Sequence, residues 1–164
     1  MNKFILTLAF LLTVSTSPVS AMINPWTDCG EDLNCGAGVA GFSFPLKIEN
    51  YTVRAMKGML EVSFSLEDNR DVIIRKAETF EGKPDENGII DISGDYNQYP
   101  VNKTVTLNNG VKFSVRGEDE NYHVANFAAE TGYYSITCDK GLSTPDLEYF
   151  YNLLAEAEAP YDNH

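Results

Sequence analysis

Twenty-four acidic side chains against twelve basic ones give this 164-residue chain a net charge of −12, a field that repels nucleic acid and anionic lipid surfaces. No basic patch is visible to offset it, so neither is expected as a partner. The length suits one domain built around one core.

The chain opens with Asn2 and Lys3, an apolar run from Phe4 to Val14 and the small-x-small site Val19-Ser20-Ala21. That order predicts a secretory signal peptide over 1–21, cleaved to leave Met22 first, and a single domain over 22–164. Loss of Lys3 with the leader takes the net charge to −13. The apolar run is too short to span a bilayer, and no second run of that kind follows, so no transmembrane segment is expected. No cysteine stands at the cleavage point to carry a lipid.

Asn24 to Thr27 reads as an extended entry holding the only tryptophan, Trp26. Asp28-Cys29-Gly30-Glu31 matches a capping box, and Cys29, Leu33, Ala37 and Ala40 then share one helical face, which predicts an N-terminal helix ended by Gly41. Phe42 to Leu46 is an apolar segment stopped by Pro45. From Tyr51 to Lys76 the pattern turns to period two. Val53 and Ala55, then Leu60, Val62, Phe64 and Leu66, alternate with polar residues about a Lys57-Gly58 turn, and Asp71 to Lys76 resumes after the polar cluster Glu67 to Arg70. This predicts a three-stranded antiparallel meander with Glu61, Ser63 and Ser65 on its outer face.

Glu78 to Gly88 has the composition of a surface loop, and Ile89 to Ile92 reads as a short strand. Val101 to Leu107 and Val111 to Val115 flank Asn108-Asn109-Gly110, a strong hairpin signal. Tyr122 to Ala128 and Tyr133 to Cys138 form a last strand pair. Thr144 as N-cap, Pro145 behind it and the stripe Leu147, Phe150, Tyr151, Leu154 predict a C-terminal amphipathic helix. The expected fold class is α+β: an antiparallel sheet of about seven to eight short strands with an N-terminal and a C-terminal helix packed on it.

Asn24-Pro25-Trp26, Gly41-Phe42-Ser43-Phe44-Pro45, Leu60-Glu61-Val62, Arg75-Lys76, the stretch from Asp91 through Ile92-Ser93-Gly94-Asp95-Tyr96-Asn97-Gln98 to Tyr99, and Tyr134-Ser135-Ile136 together resemble a family. It comprises small secreted or membrane-anchored proteins of Gram-positive anaerobes that carry a domain of unknown function. The match extends over most of the chain after the leader, and DISGDYNQY is its most specific piece. The resemblance implies a bacterial source and, by analogy, a PsbP-like arrangement of helices on a curved antiparallel sheet; it implies no chemistry. Cys35 and the long Glu78 to Gly88 loop depart from the family pattern.

Catalytic material is sparse. His123, the only histidine away from the C-terminus, is expected to face solvent from a strand, and no Gly-x-Ser-x-Gly, His-Glu-x-x-His or phosphate-binding glycine loop occurs. An EF-hand register through Asp85, Asn87 and Gly88 fails because Lys83 and Gly94 fall where carboxylates are required. No metal or cofactor is therefore expected. The favoured function is a non-catalytic, secreted or extracytoplasmic binding domain for a protein or cell-envelope ligand, monomeric in itself. The alternative is a carboxylate-dependent hydrolase.

The expected binding residues are Asp91, Ser93, Asp95, Tyr96 and Tyr99, on a turn that glycine and side-chain-to-backbone bonds would shape. A helix starting at Asp28 would separate Cys29 from Cys35 by about 9 Å of rise, too far for a bridge. Cys29 and Cys138 both fall on apolar faces, so a Cys29 to Cys138 disulfide is predicted with Cys35 free, and Cys35 to Cys138 is the other pairing.

Overall fold

In the computed structural model the described residues are 24–35, 48 and 50–158. They form eight strands and one helix: β1 (Thr27–Gly30), β2 (Thr52–Met56), β3 (Met59–Ser65), β4 (Asp71–Ala77), β5 (Val101–Thr106), β6 (Lys112–Glu118), β7 (Asn121–Ala129), β8 (Gly132–Leu142) and α1 (Thr144–Glu158). All pairings are antiparallel, in the order β1-β2-β3-β4-β8-β7-β6-β5. Two meanders thus meet where β4 pairs with β8.

The period-two pattern decides which side chains reach the core. Val53, Val62, Ile74, Ile136, Ala125 and Val115 are successive cross-strand partners on one face, and all are buried. Leu147, Phe150, Leu153 and Leu154 of α1 join the same cluster, each burial contributing about 2 kcal/mol. Phe64 meets Phe150 at 6.2 Å between centroids, and Tyr151 lies edge-on to Phe127 at 5.6 Å. Ser143, one residue before the expected Thr144, caps the helix. Its Oγ accepts from the Asp146 backbone at 3.4 Å, while Asp146 Oδ2 accepts from the Ser143 N–H and hydroxyl, both at 2.8 Å. This is a reciprocal capping box.

The N-terminal helix is not what residues 27–35 form. Thr27–Gly30 is an edge strand on β2, and Glu31 to Cys35 turns back. Gly30 at φ 62° breaks a right-handed helix, and Asp28 bonds the Gly30 N–H two residues on rather than one three residues on. The turn brings the Cys29 and Cys35 Cα atoms to 5.8 Å, and these two form the disulfide. The expected Cys29 to Cys138 bridge is absent; Cys138 is a buried free thiol on β8. The remainder of the expected helix lies outside the described residues. The sheet with α1 is the architecture, with strand content far exceeding helix. Among the described residues no helix is long and apolar enough to cross a membrane.

Candidate functional site

The face opposite α1 carries an unbroken polar row, one residue from each strand: Asp28, Arg54, Glu61, Arg75, Ser135, Asn126, Ser114 and Thr104. Glu61, expected to face solvent, is buried in it. Arg54 Nε donates to Glu61 Oε1 at 2.8 Å and Arg75 Nε to Oε2 at 2.8 Å, so one carboxylate is clamped between two guanidiniums. The Trp26 ring covers both, its centroid 5.4 Å from Arg54 and 5.2 Å from Arg75. These contacts explain why a residue on the outer face is buried: its carboxylate is paired with two guanidiniums, and both oxygens accept hydrogen bonds.

Across this face runs the chain between β4 and β5. Ile90 and Ile92 pack on Met59 and Ala77, an irregular segment where a short strand was expected over Ile89 to Ile92. Asp91 Oδ1 accepts from the Ser93 N–H at 2.9 Å, Ser93 Oγ from the Asp95 N–H at 3.1 Å and Asp95 Oδ1 from the Asn97 N–H at 2.7 Å. Three successive two-residue loops of this kind satisfy backbone that no strand can pair.

Two arginines fasten the segment. Arg75 donates to the Ser93 and Ile92 carbonyls. Arg116, from β6, reaches Asp91 Oδ2 at 2.8 Å, Ser93 Oγ at 3.2 Å and the Asp95 carbonyl at 2.8 Å. Gly94 has φ 64°, which favours glycine, and a Cβ there would stand 2.3 Å from Arg75 Nη1 and have to push it aside.

The five expected binding residues separate under this geometry. Ser93 is buried, the Asp91 carboxylate is held by Arg116 and the Ser93 N–H, and that of Asp95 accepts from the Asn97 N–H and the Tyr99 hydroxyl. Tyr99 stacks on His123 at 5.2 Å and donates its hydroxyl to Asp95 Oδ2 at 3.0 Å; burial first, and this bond second, raise its pKa. His123, expected in solvent, lies under Tyr99 with Nδ1 3.1 Å from the Cys138 carbonyl. Tyr96 alone of the five projects fully, at 93% exposure.

Beside it opens a groove of about 550 Å³ lined by Trp26, Met56, Phe80, Asp91, Gly94 and Tyr96, over Met59 and Ile92. Phe80, 39% exposed, and Trp26 were not among the expected site residues, because a lone aromatic in a polar loop carries no spacing signal.

No protein-family model matches the chain, and no curated protein or solved structure gives a significant match. Among the described residues no three His, Cys, Asp or Glu side chains gather into a metal site. Asp139 and Asp146 hold their protons less tightly than ordinary carboxylates. The Asp71 N–H lowers Asp139; at Asp146 burial opposes ionisation, and bonds from Arg70 and Ser143 outweigh it. A general acid requires the opposite displacement.

Proposed function

We propose that the chain is a non-catalytic, extracytoplasmic binding module whose recognition surface is the groove around Tyr96. One observation carries this reading: Tyr96 is 93% exposed on a segment whose backbone is fastened on both sides by Arg75 and Arg116. A tyrosine held in that way has little rotamer entropy and no loop entropy left to lose on binding, and it offers a large apolar face with a polar tip. Of the three large apolar side chains most exposed among the described residues, Phe80 and Tyr96 line this groove.

The leader-like N-terminus, the Cys29–Cys35 disulfide and the resemblance to secreted proteins of Gram-positive anaerobes support the compartment. The downward displacement of Asp139 and Asp146 gives the hydrolase alternative no support. Immobilised wild-type chain and Tyr96→Ala, challenged with an envelope extract, test the reading. The variant should lose the captured species while its Tm stays within about 2 °C of wild type. Equal capture by both overturns it.

A further inference from the structure

We infer that the groove binds an uncharged saccharide, with a sugar face stacked on Tyr96 and hydroxyls bonded to Arg75 and Asp91. This rests on the groove being the recognition surface and goes on to name the class of ligand that fills it. Trp26, Phe80 and Tyr96 supply its aromatic surface, and Arg75 and Asp91 are the two charged side chains in its lining. Its volume of about 550 Å³ falls among small-ligand sites.

Arg75 is already oriented by its neighbours. Nε donates to Glu61, Nη1 donates to the Ile92 and Ser93 carbonyls, and the guanidinium lies 5.2 Å from the centroid of the Trp26 ring. Nη2 has no hydrogen bond among the described residues and is not enclosed, and 16% of the side chain remains exposed. The Asp91 side chain is 47% exposed. Its Oδ1 accepts from the Ser93 N–H and its Oδ2 from Arg116, one bond to each oxygen, where a carboxylate has about four acceptor sites. A held donor and a held acceptor therefore line the same groove, with little ordering left to do on binding.

Charge narrows the class of ligand. An anion meets Asp91 in the lining and the net charge of −12 around it; a cation meets Arg75, with Arg54 against the same Trp26 ring. One charge of each sign suits a neutral molecule. A purely apolar ligand would cover Tyr96 but strip water from the donor and the acceptor, and nothing would replace it. Saccharide hydroxyls both accept and donate, so they accept from Arg75 Nη2 and donate to Asp91, while the C–H face of the ring covers the exposed aromatic. A trans amide presents its donor and acceptor on opposite edges, whereas neighbouring hydroxyls present both on one.

Trp26 is the single tryptophan and lines the groove, so its fluorescence reports occupancy. The probes are chitotriose, cellotriose and maltotriose, with end-blocked trialanine as the neutral peptide control and trigalacturonate as the anionic one. At least one neutral trisaccharide should perturb Trp26 saturably in the millimolar range, about tenfold more tightly than either control. Tyr96→Ala should weaken that trisaccharide about tenfold and Asp91→Asn about fivefold. Thermal melts of both variants separate a lost contact from a lost fold, and two are used so that a folding defect in one does not decide the matter.

No saturable response to any of the three trisaccharides at about 20 mM overturns the inference, as does equal or tighter binding of the tripeptide or of trigalacturonate. The envelope extract separates this failure from that of the groove reading. Periodate, which cleaves vicinal diols to dialdehydes and is itself reduced to iodate, should abolish capture by the wild-type chain, and proteinase K should not. Capture that depends on Tyr96 but survives periodate and is lost to proteinase K overturns the saccharide and leaves the groove reading standing. Trisaccharide binding that survives both substitutions lies elsewhere and overturns the groove reading as well.

Discussion

Arg75 holds two things at once: the buried Glu61 carboxylate on its own face of the sheet and the carbonyls of Ile92 and Ser93 above it. Gly94 is the point where the passing chain comes closest to that guanidinium. Gly94→Ala would combine a left-handed φ with a displacement of Arg75 Nη1 from the Ile92 and Ser93 carbonyls. The expected cost is about 2 kcal/mol, read as a drop in Tm accompanied by faster proteolysis within residues 89–99. Unchanged stability would mean that the fastening of the segment is incidental. The alternation of Leu60, Val62 and Phe64 marks the core face from the sequence alone, because period two is a local property. The burial of Glu61 is not legible there, since it depends on Arg54 and Arg75 from neighbouring strands and on Trp26 from far up the chain. Tyr96 and Tyr99 look alike in the sequence for the same reason: what separates them is His123, brought beneath Tyr99 by β7.

At the level of elements, α1 is tied at its first turn to the β3–β4 turn by Arg70, which donates to both Asp146 oxygens, at 2.9 and 3.3 Å, and to Asp68. The Arg70 pKa rises, chiefly through its hydrogen bond to Asp146, and that of Asp146 falls although burial opposes its ionisation. An acid whose proton affinity is lower in the folded chain than in the unfolded one stabilises the fold fully above its ordinary pKa, and the gain is lost as pH drops through the folded value. Asp146→Asn should therefore lower Tm by about 4 °C at neutral pH, a gap that closes as the pH falls below about 4. A gap that stays constant with pH would place the loss in packing rather than charge.

The hairpins and α1 were readable because turn and cap residues act within a few positions of where they stand. β1 was not, because Asp28 and Glu31 at capping spacing describe a helix start equally well until Gly30 takes its left-handed φ. Once the strand replaces the helix, Cys35 folds back on Cys29, and the short bridge contributes about 2 kcal/mol, against about 4 for the long one expected. Non-reducing peptide mapping should return Cys29 joined to Cys35. Cys138, whose thiol pKa is raised by burial, should react with thiol reagents only after denaturation. A linked Cys138 peptide would contradict the topology around β8.

On the scale of the molecule, the sheet is two consecutive meanders, and the last strand of each, β4 and β8, forms the seam between them. The segment over residues 89–99 braces that seam from outside, since Arg75 belongs to the first meander and Arg116 to the second. A chain ending at residue 131 would keep seven strands yet leave β4 with an open inner edge. It should aggregate rather than give a folded half, as size-exclusion chromatography would show; a stable monomer would contradict this. The seam also imposes an order in time. A chain synthesised N-terminus first delivers β4 early and its partner β8 only after some sixty residues more. The central pairing is thus withheld until residues 132–142 have been added, and the topology itself acts as a clock that lets the seam close only after the second meander is complete.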